Sequence, residues 1–243
     1  MLRRRAIFGL TLWAGPDPVW IVAHRGAMRQ APENTLAAYE RAANLGADFV
    51  ELDVRETSDG ALVLMHDARV DRTTDGHGAV EELTLAEIGR LRPAVPTFTA
   101  ALRWGKRRGV RIDVDHKSGS VEAIAREIEQ AGMRERVVIE GPRERLARFA
   151  ALLPGVDTMP KVSSAGEVEE VVRALRTRIV RLSLAQLENR ECVTAVRAAG
   201  AKVAVTILGE HDHADMMRQV IRQGARIIET DYPEVAAQVR GSG

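Results

Sequence analysis

From residue 20 onward this chain alternates short apolar runs with amphipathic helical stretches, and that alternation narrows its fold more than any other feature. The runs fall at 20–23, 49–54, 110–115, 137–139, 158–162, 179–182, 202–206 and 227–230, with helical patterns near 35–45, 97–108, 121–131, 143–153, 167–176, 191–199, 214–223 and 233–239. Strands joined through a helix have room to cross over and pair in parallel. Eight of them is the number that closes a (β/α)8 TIM barrel, which is the predicted fold. One further run, 62–65, follows strand 2 after only Glu56-Thr57-Ser58-Asp59-Gly60, a turn too short for a crossover. It must return antiparallel, as a small β-hairpin and loop insertion after strand 2. The polar stretch 68–83 beyond it, with Gly76 and Gly78, is expected over the mouth of the barrel.

The 243 residues suffice for one such barrel over 20–243, and no linker or low-complexity stretch divides it. Residues 1–19 form a tail. Within it Leu2-Arg3-Arg4-Arg5 and the mostly apolar 6–14 have the order of a signal peptide, but the apolar part is short and the cleavage site poor. A cytoplasmic enzyme with the tail across the barrel bottom is the expectation, and export through the N-terminal segment is the alternative. No other segment approaches the ~20 apolar residues of a membrane span, so no stable membrane insertion is expected. Lys and Arg number 35 against 34 Asp and Glu, so no global basic field favours nucleic acid. Any anion must be met by local cations. Cys192 is the only cysteine, which excludes an intrachain disulfide, and its Ala/Val-rich surroundings read as packing. Nothing in the sequence specifies an oligomeric state.

Chemistry concentrates between Val22 and Asp67. The first apolar run ends in His24-Arg25-Gly26, which places a titratable ring, a cation and a flexible backbone point at the C-terminal end of a strand. That is where (β/α)8 barrels carry their active sites. In Phe49-Val50-Glu51-Leu52-Asp53-Val54, the alternation puts Glu51 and Asp53 on one face. Two carboxylates so placed repel each other and are costly to desolvate unless a cation sits between them. The pair therefore points to a hard, oxygen-seeking ion such as Mg²⁺ or Ca²⁺. An isolated Glu-x-Asp is more often a solvated strand face, and here the neighbours decide. A turn centred near Asp59 brings His66 roughly opposite Glu51, beside the proposed metal.

His24-Arg25-Gly26, Pro32-Glu33-Asn34-Thr35, Glu51-Leu52-Asp53, His66-Asp67 and Arg72-Thr73-Thr74-Asp75-Gly76, in this order, closely resemble the glycerophosphodiester phosphodiesterase family. The likeness runs on more loosely to Thr230-Asp231-Tyr232-Pro233. The resemblance implies metal-dependent hydrolysis of glycerophosphodiesters to an alcohol and sn-glycerol 3-phosphate. It implies His24 and His66 as acid and base, Glu51 and Asp53 as ligands of one divalent cation, and Arg25 on the phosphate. A third ligand is expected where the family usually shows Glu-x-Lys and this chain has Asp115-His116-Lys117. Asp115 is assigned as that ligand and Lys117 as a phosphate or glycerol contact, with Asp113 on the same face to help, because Asp is one methylene shorter than Glu. Where the family often has Trp-Thr-Val-Asn this chain has Val205-Thr206-Ile207-Leu208. An apolar wall at Val205 and Leu208, and weak discrimination among alcohol groups, are therefore expected. Glu140 and Glu229 are expected in salt bridges or at the mouth, and His77, His116, His211 and His213 outside the chemistry.

A phosphodiester anion repels nucleophiles. A divalent ion with Arg25 and Lys117 would offset that charge while one histidine takes a proton and the other gives one. The attacker is either water or the adjacent glycerol hydroxyl. Two competing readings are a phospholipase C- or D-like hydrolase acting on lysolipids and a catalytically inactive barrel used as a binding protein. The first needs an apolar rim, and 68–83 has no aromatic residue; the second is disfavoured by two histidines and three acids occurring together.

Overall fold

The computed structural model describes residues 18–241. Its strands are β1 (Trp20–Ala23), β2 (Phe49–Glu56), β3 (Leu62–Leu64), β4 (Arg111–His116), β5 (Val137–Glu140), β6 (Asp157–Met159), β7 (Ile179–Leu182), β8 (Lys202–Thr206) and β9 (Ala225–Thr230). Its α-helices are α1 (Leu36–Asn44), α2 (Leu85–Ile88), α3 (Phe98–Arg108), α4 (Val121–Ala131), α5 (Arg143–Leu152), α6 (Val168–Leu175), α7 (Leu184–Glu188), α8 (Arg190–Ala198), α9 (Ala214–Gln223) and α10 (Pro233–Gly241). Eight strands pair in parallel in the order β6-β5-β4-β2-β1-β9-β8-β7. The circle closes between β6 and β7 through a bridge from Lys161 to Arg181, whose N–H donates to the Pro160 carbonyl at 2.9 Å. This is the expected (β/α)8 barrel. The 1–19 tail lies, apart from Pro18 and Val19, outside the described residues. Among those that are described, no helix is long and apolar enough to cross a membrane.

The insertion after β2 is also as expected. β3 runs antiparallel to β2, from Val54 against Leu64 to Glu56 against Leu62. Continued, this register sets His66 across from Leu52, one residue away from the expected Glu51. The Met65 N–H then bonds the Asp53 carbonyl at 3.0 Å, which holds the outgoing chain beside the acidic strand end. Local signals act where the sequence places them. Thr35 caps α1 by accepting from the Ala38 N–H at 3.2 Å, and Thr84 with Glu87 forms a reciprocal capping box on α2. The short α7 was not expected; Ser183 and Gln186 close a capping box on it.

Alternation along the strands separates two cores. Outward residues such as Ile21, Val50, Leu52, Ile112, Ile139, Val180 and Val203 pack beneath the helices in the main cluster. Each fully buried aliphatic side chain of this kind contributes about 1.5–3 kcal/mol, so this shell dominates the favourable side of folding. Inward residues Val22, Phe49, Val138, Met159, Ile179, Ala204 and Ile227, with Trp20, form a separate apolar plug inside the barrel. Toward the strand C-termini the inward positions become polar: Glu51, Asp113, Glu140, Arg181 and Glu229 are all buried. The same period of two corrects one expectation. Val205 points outward into the main cluster and is 1% exposed, so it forms no wall of the mouth, whereas Thr206 faces inward.

Candidate active site

The seven residues singled out in the sequence, His24, Arg25, Glu51, Asp53, His66, Asp115 and Lys117, line one cavity of about 430 Å³ at the C-terminal end of the barrel. The turn after β1 does much of the arranging. Arg25 adopts a left-handed conformation (φ 53°), which aims its N–H at Glu51 Oε2, 2.8 Å away. Gly26 follows at φ 81°, and a Cβ there would sit 2.8 Å from Ala38, so only glycine lets α1 approach this turn.

Asp53 is held from several sides. Asn34, also left-handed (φ 55°), donates from Nδ2 to Asp53 Oδ2 at 2.7 Å and accepts from the Asp53 N–H and from Tyr39 Oη. Arg25 Nε lies 3.4 Å from the same oxygen. Lys117 Nζ stands 3.0 Å from Asp53 Oδ1 and 2.5 Å from Asp115 Oδ2. Burial would lower the Lys117 ammonium, but its bonds to Asp115 and Asp53 hold it above its ordinary value. Burial, and then the charges of Asp53, Glu229, Glu140 and Asp113, push Glu51 well above the usual carboxylate range.

Each histidine sits on its own carboxylate. His24 Nδ1 is 2.8 Å from Asp231 Oδ1, and His66 Nδ1 is 2.7 Å from Asp67 Oδ1. An ionised carboxylate only accepts, so Nδ1 carries the proton in both and Nε2 is left for chemistry. The partners are themselves anchored. The buried Asp212 accepts from the Asp231 N–H at 2.6 Å and is bonded to the Thr230 hydroxyl; burial pushes it up to about 6 against those bonds. Arg72 forks onto Asp67 (2.6 and 3.1 Å) and onto Glu33 (2.8 and 2.8 Å), and Glu33 also takes Arg25 Nη1 at 3.1 Å. The insertion loop is thereby latched to the turn after β1. Arg72 draws Asp67 far below the usual carboxylate range, and although burial opposes it, Arg72 and Arg25 bring Glu33 below its own.

Beneath these residues lies a buried ionic layer. Arg181 bonds Glu229 at 2.7 Å, Glu140 at 2.8 Å and Thr206 Oγ1 at 2.7 Å. Asp113 is 3.6 Å from Arg181, neither of its oxygens has a hydrogen-bond partner among the described residues, and burial with the charge of Glu140 pushes it well up. Burial also raises Glu140, to about 7, against the pull of Arg181. Asp113 thus belongs to this layer and not to the acidic group above it. Glu140 and Glu229 do both things expected of them, bridging Arg181 and lining the cavity. His116 packs edge-on against Phe149, His77 is exposed beside Asp71, His211 is exposed beside Glu210, and His213 caps α9. None of these four lines the cavity.

The donor set fits a hard cation. Glu51, Asp53 and Asp115 each offer an oxygen within 4.8 Å of the others, which suits ligands gathered around one ion bound at ~2.0–2.6 Å. The Lys117 ammonium already bonds one oxygen of Asp53 and one of Asp115, so an ion here would share those two carboxylates with it. His24, Glu51 and Glu229 meet the same proximity, but Glu229 Oε2 is already committed to Arg181 and to the Thr206 hydroxyl.

Contacts that the sequence reading missed belong to Asn34, Glu33, Asp67, Arg72, Asp212 and Asp231, whose side chains bond to the cavity-lining residues or to the partners of those residues. Most lie inside the quoted motifs: Glu33-Asn34 precedes the α1 cap, Asp67 follows His66, and Asp231 follows Thr230.

A (β/α)8 barrel whose mouth joins a cluster of three carboxylates, the cations Arg25 and Lys117 beside it and two carboxylate-backed histidines has the parts of a phosphoester hydrolase. The glycerophosphoryl diester phosphodiesterase family model matches residues 24–235, and the chain belongs to that family of enzymes. A glycerophosphodiester phosphodiesterase of Caldanaerobacter subterraneus subsp. tengcongensis is 32% identical over 232 residues, covering 88% of this chain and 94% of the relative. A putative glycerophosphodiester phosphodiesterase of Bacillus subtilis is 38% identical over 236 residues, covering 89% and 96%. Among solved structures, a glycerophosphodiester phosphodiesterase from Agrobacterium tumefaciens superposes with a TM-score of 0.82 at 29% identity, covering 90% of this chain and 99% of that one.

Proposed function

We propose that this enzyme hydrolyses glycerophosphodiesters to an alcohol and sn-glycerol 3-phosphate with the help of one divalent cation, Mg²⁺ or Ca²⁺. The observation that carries the reading is the convergence of two histidine–carboxylate pairs and the Glu51, Asp53 and Asp115 cluster on one cavity. Glu51, Asp53 and Asp115 would hold the ion, which when bound offsets the charge of the phosphate. Arg25 and Lys117 take the phosphate oxygens: Arg25 Nε is buried without a hydrogen-bond partner, and Lys117 has one of its three donors left after Asp53 and Asp115. Of His24 and His66, one removes the proton of the attacking hydroxyl and the other protonates the departing alkoxide. Asp231 and Asp67 hold each ring in the working tautomer and favour its charged form as it develops. Among the described residues Leu152, at the C-terminal end of α5, is the one large hydrophobic side chain that is exposed, and it does not line the mouth cavity, so the reading favours soluble diesters over a lipid surface.

The test is a coupled assay for glycerol 3-phosphate release from glycerophosphocholine, glycerophosphoethanolamine and glycerophosphoglycerol, with choline release from lysophosphatidylcholine followed in parallel, each with EDTA and after readdition of Mg²⁺ or Ca²⁺. Release that EDTA abolishes and one of the ions restores is the expected result. Full activity after exhaustive chelation removes the cation from the proposal, and hydrolysis of a lysolipid alone overturns the substrate class.

A further inference from the structure

The cations lining the mouth are not equivalent. Arg25 is paired with Glu33 and Asp53, Lys117 with Asp53 and Asp115, and Arg181 with Glu140 and Glu229. Lys161 lines the same cavity, is exposed, and among the described residues has no carboxylate, carbonyl or hydroxyl on its ammonium.

Its backbone is nevertheless fixed. It makes the bridge to Arg181 at the β6–β7 seam, and its carbonyl accepts from the Arg143 guanidinium at 3.3 and 3.4 Å. The next carbonyl, of Val162, accepts from Gln186 Nε2 at 2.7 Å. By alternation Lys161 continues the inward set of Asp157 and Met159. In the strand order, β6 stands four strands from β1 in either direction, so Lys161 lies diametrically across the mouth from His24 and Arg25.

A phosphate held at Arg25 and Lys117 has two ester arms, and one that reaches across the mouth arrives at this ammonium. A terminal carboxylate or phosphate there would find an unneutralised partner, while a trimethylammonium group would meet like charge. With Val205 turned outward, the lining is also less apolar than the sequence implied, since Ser183 and Gln186 line the cavity together with Leu208. We propose that Lys161 is a specificity residue that favours glycerophosphodiesters whose alcohol carries a further negative charge. This rests on the hydrolysis proposed above.

The test compares kcat/KM for glycerophosphoinositol phosphate with that for glycerophosphocholine in the wild-type enzyme, Lys161→Met and Lys161→Glu. The wild-type ratio is expected to favour the anionic diester by about three- to tenfold and to shrink as salt rises from about 50 to 500 mM. Lys161→Met should bring the ratio toward one, and Lys161→Glu should invert it. A ratio indifferent to both substitutions overturns the proposal. A parallel loss on both diesters also overturns it, because Lys161 would then serve the shared phosphate. A wild-type enzyme that cleaves neither diester would instead remove the hydrolysis on which this inference depends.

Discussion

Replacing Arg181 by Met tests the buried ionic layer that carries the active-site floor. Met fills similar volume without charge, so Glu140, Glu229 and Asp113 lose the one guanidinium that bridges them. Breaking a buried pair by removing one partner costs about 3–5 kcal/mol, because an uncompensated charge is left behind. For a chain of this size that corresponds to a fall in Tm of about 6–20 °C, at about 2–4 °C per kcal/mol. The loss depends on pH with a definite sign. Without Arg181 all three acids rise in the folded state: Glu140 already stands at about 7 and Asp113 is already pushed well up with the arginine present, and Glu229, which burial would raise but Arg181 holds below its ordinary value, loses that pull. A carboxyl raised on folding leaves stability intact below its unfolded value and takes it away as pH climbs through the folded one. Arg181→Met should therefore be most destabilised near pH 8 and much less so near pH 5. Urea unfolding at both pH values, with m compared between variants, measures this. Adding Glu140→Gln and Glu229→Gln to Arg181→Met should recover at least half of the loss at pH 8. A deficit under about 1 kcal/mol at pH 8, or one equal at both pH values, would refute the reasoning.

His24→Ala and His66→Ala should each lower kcat by about 10²–10⁴-fold on a diester with a poor leaving group, and near-normal turnover would make that histidine structural. Asp53→Asn should lose cation affinity in a calorimetric titration and also destabilise the fold by about 1–3 kcal/mol, because Asn34 Nδ2 and Lys117 Nζ would both face an amide that cannot accept from them as the carboxylate does. Arg72→Met should lower kcat by unlatching Asp67 from His66. Its stability deficit should be full at pH 7, begin to shrink below about 4, where the unfolded carboxyls protonate, and disappear only as the pH falls on through the lowered folded values of Glu33 and then Asp67. A deficit that does not shrink at all between pH 7 and the acid end of the measurable range would show that Arg72 acts through packing.

What the sequence determined by itself was whatever is encoded within one strand, helix or turn. The alternation of Glu51 and Asp53, the caps at Thr35 and Thr84, and the turn around Asp59 that forces β3 back along β2 all depend on neighbours a few residues away. The eight-strand alternation carried the barrel, because each β-α unit has only one short way to continue. The tertiary structure decided what depends on which strands meet when the circle closes. His24 reaches Asp231 across 207 residues, Arg181 bridges acids from β5 and β9, and Lys161 faces β1 only because β6 lands opposite it. No local pattern encodes those pairings: a carboxylate at the end of the last strand looks the same in sequence whether it backs a histidine or meets solvent. Barrel closure sets the distance, and burial sets the energy.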